Sequence, residues 1–462
     1  MQRSTLIPLI VACALFMENM DSTVIATSLP AIAADIGESP LALKLALTSY
    51  LVGLAVFIPI SSWAADRFGS RTVFASAIGV FVGGSLLCAA SSTLPAFVGA
   101  RFLQGFGGAM MVPVGRLVLL REVPKSGLVA ALAWLTTPAL LGPVIGPPLG
   151  GAITLYLHWR WIFIVNAPIG ALGLYLVLRH IPNLREEEAP ALDARGFALS
   201  GFGLSALMLG LSSLGGHLMP GAITAACIAF GSIALGAYAW HARRAPQPLI
   251  DLALFKLPTF NAGVVAGTLF RIGVGATPFL LPLLLQLGFG LDPLQSGLLT
   301  CSVAVGAMFM KTLTAMILKR WGFRRVLTVN AAVTSAAVAA FGLFTAATPH
   351  WVIVAVLLVS GCLRSLQFTA LQAISFAEVS AASMSQASSI TSMSQRLSQS
   401  LGVAAGAYVL QLSSTLQGHT RIEASDFWPT FLAMGLISAA SVLSHLRLAP
   451  HAVAEVSGHA RL

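Results

Sequence analysis

Two carboxylates stand where the sequence offers them no water. Glu18 and Asp21 lie inside Leu6–Ala34, a stretch otherwise apolar enough to cross a bilayer. An ionised acid there must be paired, face an aqueous cavity or hold a proton. At a spacing of three, the two side chains share one face of a helix, about one turn apart. Arg101, in a later apolar stretch, is the base that could answer them. If successive helices cross in opposite directions, Asp21 sits ~22 Å along the first and Arg101 ~8 Å into the fourth. Those depths coincide, so the two can pair, either as a purely structural contact or as a switch in which protonating Asp21 frees Arg101. Glu18 is expected to be a second proton site or a group that recognises cationic substrates.

The second half of the chain carries the opposite charge. Arg271, Lys311, Arg364 and Arg396 fall in apolar segments that contain no acid. Backbone carbonyls and glutamines such as Gln367, Gln372 and Gln399 are the expected partners, and Lys311 can snorkel towards a membrane surface. A cavity with this excess favours an anionic or zwitterionic substrate over a lipophilic cation, and both remain open. Gln104, Arg271, Arg364, Gln367 and Arg396 are the candidate cavity residues.

Elements to position these groups follow from composition. Of 462 residues 57% are hydrophobic and only 9% charged, and the mean hydropathy is +0.87. A soluble domain carries roughly a quarter charged residues, so this is an integral membrane protein. Its net charge of +10 does not imply nucleic acid, because the basic residues recur in short clusters between apolar segments. Apolar segments are expected over Leu6–Ala34, Leu41–Ala65, Thr72–Ser91, Ala96–Leu120, Gly127–Leu155, Trp161–Ile181 and Phe197–Gly215. Seven more cover Met219–Trp240, Thr259–Leu287, Gln295–Leu318, Val326–Ala346, Trp351–Ala377, Ala387–Leu412 and Phe427–His445.

Fourteen helices with both termini in the cytoplasm place nearly all loop arginines and lysines, including Arg67, Arg71, Arg121, Lys125 and Arg320, on one side. Lys44, Arg160 and Arg421 alone fall opposite. The N-terminal segment reads as helix one instead of a signal peptide, being too long and doubly acidic. The five cysteines are scattered through apolar stretches and read as small core residues.

Asp66-Arg67-Phe68-Gly69-Ser70-Arg71 reappears as Lys319-Arg320-Trp321-Gly322-Phe323-Arg324. This repeat implies two pseudo-symmetric six-helix bundles, 1–181 and 259–446. Between them, 182–258 would hold a linker, two added helices and an amphipathic surface segment, and 447–462 would be a cytoplasmic tail. In the turn itself Gly69 permits the bend, and Asp66 can accept from the next helix's N-terminus or from an arginine. The segment Gly142, Pro143, Gly146, Pro147, Pro148, Gly150 and Gly151 combines close helix approach with bending.

The chain resembles the major facilitator superfamily, specifically its fourteen-helix drug:proton antiporter branch, over nearly its whole length. Six motifs carry this in order: Met20-Asp21-Ser22-Thr23-Val24 with Leu29-Pro30; Asp66 to Arg71; Arg101-Phe102-Leu103-Gln104-Gly105; Gly142 to Gly151; Trp159-Arg160-Trp161 with Asn166 and Pro168; and Arg396 to Ala405. The resemblance implies proton coupling at Asp21 and Arg101, a cytoplasmic gate at Asp66, Arg67, Gly69 and Arg71, and an antiporter motif at Gly142, Gly146, Pro147, Gly150 and Gly151. Glu18 departs from the branch pattern, and Lys319 replaces Asp66 in the second copy, so a single latch is expected.

The expected function is proton-coupled export of small molecules across the inner membrane by alternating access. Efflux of organic anions or metal chelates, and a non-transporting sensor or scaffold, are the alternatives. The chain has no Gly-Lys dipeptide and hence no Walker A loop, and no His-Glu-x-x-His, Cys-x-x-Cys or EF-hand pattern. The expectation is therefore a monomeric permease, not an enzyme, with no cofactor, metal or nucleic acid, drawing on the proton gradient and contacting substrate, protons and lipid.

Overall fold

The computed structural model describes residues 3–122, 128–183, 185, 191–214, 219–246, 248–380 and 383–446. Lys125, Glu186-Glu187-Glu188 and the tail 447–462 lie outside them. Every regular element is helical. Helix α1 (Arg3–Val24) passes through a 3-10 turn, Ile25–Ser28, into α2 (Leu29–Ile36), where Pro30 occupies the first turn. Then come α3 (Lys44–Phe57), α4 (Ser61–Phe68), α5 (Ser70–Ala90), α6 (Leu94–Glu122), α7 (Leu128–Tyr156), α8 (Trp161–Ile164) and α9 (Asn166–His180). Two linking helices, α10 (Ala194–Ser213) and α11 (Gly221–Ala242), precede the C-terminal set. That set comprises α12 (Pro258–Asn261), α13 (Gly267–Gly275), α14 (Thr277–Leu283), α15 (Pro293–Ala340), α16 (His350–Phe376), α17 (Met384–Leu416) and α18 (Ala424–Leu446).

Eleven helices among the described residues are long and apolar enough to cross a membrane. Three of the fourteen expected spans are not among them as separate helices. Gly127–Leu155 corresponds to α7, and Ala387–Leu412 to α17, whose first half is rich in serine and glutamine. Val326–Ala346 continues from Gln295–Leu318 through Gly322, where a φ of 70° marks a turn inside α15. The all-helical, multi-pass class is as expected.

In a bilayer the lipid tails are as apolar as leucine, so helices associate through close packing of small residues. The glycines of α7 do this. Gly142 faces Asn19 and Met20, Gly146 faces Thr23, and a side chain at Gly150 would fall on the Val24 carbonyl oxygen and the Thr27 hydroxyl. Their four-residue spacing makes a groove along which helix one lies. Gly151 points the other way, onto the Pro293 carbonyl, and Gly297 meets Pro147 in return, so the two helix sets touch backbone to backbone at the face opposite the N-terminus.

The repeated loop has the same backbone twice. Gly69 (φ 92°) and Gly322 (φ 70°) both adopt the left-handed region at the same place between consecutive helices. In the first copy the backbone N–H of Thr72 donates to the Asn183 side-chain oxygen (3.2 Å). Asp66 has other partners. In the second copy Arg324 donates to the Leu446 carbonyl (3.0 Å). Each loop thus docks on the end of the sixth long helix of its own set.

The linking segment is held by Asp193. Its carboxylate caps α10 by accepting from Gly196 N (2.8 Å), accepts from Leu249 N (3.2 Å) and meets the His241 ring (2.8 Å). Burial alone would push its pKa up, but these three partners together hold it below the usual carboxylate range. A depressed folded value contributes stability above the unfolded pKa, about 3.9, and that contribution is lost as pH falls through the folded value. Asp193→Ala should therefore cost about 0.5–2 kcal/mol at neutral pH, with the difference from wild type shrinking below pH 4 in thermal unfolding. Gly150→Ala should cost about 1–3 kcal/mol through overpacking. Gly79→Ala, where a Cβ meets nothing within 4 Å, should leave the unfolding midpoint unchanged.

Candidate functional site

Asp21 is fully buried and caged. Arg101 Nη1 donates to its Oδ2 at 2.7 Å, while the side-chain amides of Gln104 and Asn166 each donate to Oδ1 at 2.8 Å. The Ser85 hydroxyl accepts from both amides, at 3.1 and 2.8 Å, and donates to the Phe163 carbonyl at 3.1 Å. Arg101 lies with its guanidinium 4.3 Å above the Tyr50 ring. The charge is answered within the N-terminal helices alone, by α5, α6 and α9.

Glu18, one turn earlier, has a different surrounding. Tyr50 donates to its Oε1 at 3.3 Å, and Arg396 Nη2 from α17 reaches the same oxygen at 3.2 Å. The Glu18 side chain is 1% exposed and that of Arg396 26%. Gly108 leaves the room, since a Cβ there would stand 3.4 Å from the Tyr50 hydroxyl and 3.6 Å from Glu18 Cγ. Arg116, a further two turns along α6, acts electrostatically on both Glu18 and Arg396. The two acids of helix one therefore serve different contacts, Asp21 within one helix set and Glu18 between the two.

Beside them lies a cavity of about 210 Å³ between the sets. Thr23, Pro143 and Pro147 line it from the N-terminal side, and Pro278, Lys311 and Arg364 from the other. Its wall is mostly apolar, and its charged lining residues are both cationic.

The family model described as Major Facilitator Superfamily matches residues 11–403 and, in a second register, 263–461. The chain belongs to this superfamily. It is 37% identical over 446 residues to a "Putative multidrug resistance protein MdtD" of Cronobacter sakazakii, covering 95% of this chain and 93% of that one. A protein of the same description from Klebsiella pneumoniae is 38% identical over 444 residues, again 95% and 93%. Among solved structures, a D-xylose-proton symporter superposes with a TM-score of 0.68 at 15% identity, covering 96% and 97% of the two chains. The human organic anion transporter MFSD10 gives 0.62 at 14%, covering 96% and 100%. At those identities the structural likeness establishes the fold alone.

Within this superfamily transporter, the candidate cavity residues separate into two groups. Arg364 lines the space, but Gln104, Gln367, Arg271 and Arg396 are not among its lining residues. Gln104 is consumed by the Asp21 cage. Gln367 accepts from Asn330 (2.9 Å) and donates to the Leu327 carbonyl (3.1 Å), tying α16 to α15 in place of serving Arg364. Arg271, 1% exposed, donates to the Gly263 carbonyl at 3.3 Å. That carbonyl sits in a π-helical turn, Ala262–Ala266, whose i→i+5 pattern loosens the backbone ladder. Arg396 finds its acid not in its own half but in Glu18.

The loop residues Asp66 and Arg71 are half-buried, Arg67 is exposed and Gly69 is buried against Asn183. The motif around Trp159 has a structural role: Trp159 Nε1 donates to Asp35 at 3.1 Å, and Arg160 bonds Asp35 and the Ser91 carbonyl. Tyr50, Ser85 and Arg116 gave no signal in sequence; each is a lone polar residue on a helix, and only its neighbours in space give it a task. Arg101→Ala should cost about 3–5 kcal/mol by leaving Asp21 buried and uncompensated. Combining it with Asp21→Asn should lose less, and equal losses in apparent unfolding midpoint would show that the charge is not what matters.

Proposed function

We propose that this protein is a proton-coupled exporter of the drug:proton antiporter type that moves small molecules outward across the inner membrane by alternating access. The observation that carries this reading is the pairing of both acids of helix one, each with its own arginine, immediately beside a cavity shared by the two helix sets. An acid that can exchange a proton for an arginine contact links the proton gradient to helix packing. The multidrug resistance names of the relatives support export of drug-like cargo. In this reading the chain crosses the membrane fourteen times as a monomer, with 1–181 and 259–446 moving as bundles about 182–258. Both termini lie in the cytoplasm, and the loop of Asp66, Arg67, Gly69 and Arg71 is the gate on that side. The α7 motif of Gly142, Gly146, Pro147, Gly150 and Gly151 sets how closely helix one can seat against it.

A second reading concerns cargo. Lys311 and Arg364 line the cavity without an acid among its lining residues, which favours an organic anion or anionic chelate over a lipophilic cation.

Proteoliposomes with a pH-sensitive dye test the first reading. Adding a transported compound should move protons in wild type, and Glu18→Gln or Asp21→Asn should abolish or weaken that movement. No flux with any compound would favour a non-transporting sensor or scaffold, and unchanged flux in Glu18→Gln would remove Glu18 from the mechanism. In a ligand-stability screen, preferential stabilisation by organic anions that is lost in Arg364→Gln would select the anionic cargo.

A further inference from the structure

The two acids of helix one differ in what they can report. Every partner of Asp21 belongs to the N-terminal helices: Arg101 and Gln104 on α6 and Asn166 on α9. Protonating it rearranges bonds within one rigid set. Glu18 is bonded from both sets at the same oxygen, by Tyr50 of α3 and by Arg396 of α17. The charged and titratable groups that face it are Tyr50 from α3, Arg101 and Arg116 from α6, Arg396 from α17 and, one turn along its own helix, Asp21.

Protonation of Glu18 has a defined effect on this arrangement. A neutral carboxyl no longer attracts a guanidinium as a charge: with the proton on Oε2, which has no other partner, Oε1 offers Arg396 only a neutral acceptor. The contact between the sets therefore weakens. Deprotonation restores it. Arg396 is also the more exposed partner, 26% against 1%, so its guanidinium keeps access to solvent once released.

We propose that the Glu18–Arg396 pair is the element through which protonation of helix one is felt by the C-terminal helices, with Arg396 as the positioning residue that receives it. This rests on the exporter reading above. The Asp21–Arg101 pair then acts inside the N-terminal set, and coupling to the opposite set runs through Glu18. The arginine at 396 is thereby explained as a partner to an acid in the other half, which removes it from the unanswered cations of the second half.

The test uses the full chain in nanodiscs, with its native cysteines replaced by alanine and spin labels at Thr72→Cys, the exposed residue just after the first repeated loop, and Arg320→Cys, exposed on the second. The distance distribution between labels should change between pH 8 and pH 5 in otherwise unaltered protein. Glu18→Gln and Arg396→Gln should each hold the pH 5 distribution at both pH values. Arg396→Lys should keep the pH response, and Asp21→Asn should still show it. Should Arg396→Gln fold poorly, the double variant Glu18→Gln/Arg396→Gln removes both charges and should give the same fixed distribution. A pH response that survives in Arg396→Gln, or its absence before either residue is changed, overturns the proposal. Proton flux measured on the same samples separates the two ideas. Flux together with a surviving response in Arg396→Gln leaves an exporter without this device. A response lost in both variants, but no flux in the unaltered chain, leaves the device without an exporter.

Discussion

A charge inside a bilayer can only be answered by another protein group, and in this chain that constraint fixes how the first helix sits. Asp21 draws in α5, α6 and α9 through Ser85, Arg101, Gln104 and Asn166. On its other side helix one lies against α7 so closely that a Cβ at 142, 146 or 150 would crowd it. The break at Ile25–Ser28 directly follows, and the helix then restarts at Pro30 towards Asp35, where Trp159 and Arg160 pin its far end. Electrostatic demand, small-residue packing and a bent axis are three aspects of one arrangement.

Much of this was legible in sequence because the signals were local. Acids three apart in an apolar stretch announce a shared face, and a depth count sufficed to place Asp21 level with Arg101, which the 2.7 Å contact matches. Glycines four apart predict a close neighbour without naming it. A repeated Arg-aromatic-Gly-Arg spacing located two turns that do adopt the same left-handed backbone.

What stayed hidden depends on residues far apart in the chain. Glu18 and Arg396 are separated by 378 positions, and nothing in the composition around either names the other. Distance along the chain likewise hid Asn183, 111 positions on, as the acceptor at Thr72. Gln367 was an expected partner of the buried cations, yet its amide turns to Asn330 while Arg364 lines the cavity. A helix face says which neighbours are possible, and only the packing of other helices decides among them. At α17 the serines and glutamines before Leu401 dilute the apolar signal, so this long helix is not among the eleven described helices apolar enough to cross a membrane.

The contact of Gly151 with Pro293 and of Gly297 with Pro147 has a mechanical meaning. At this point the two helix sets approach through backbone: a Cβ at Gly151 or Gly297 would fall on main-chain atoms of the opposite set. Interlocked side chains would have to change rotamer before such surfaces could part. A pair of smooth glycine facets needs none of that: it behaves as a bearing, which can slide or separate and close again in the same register.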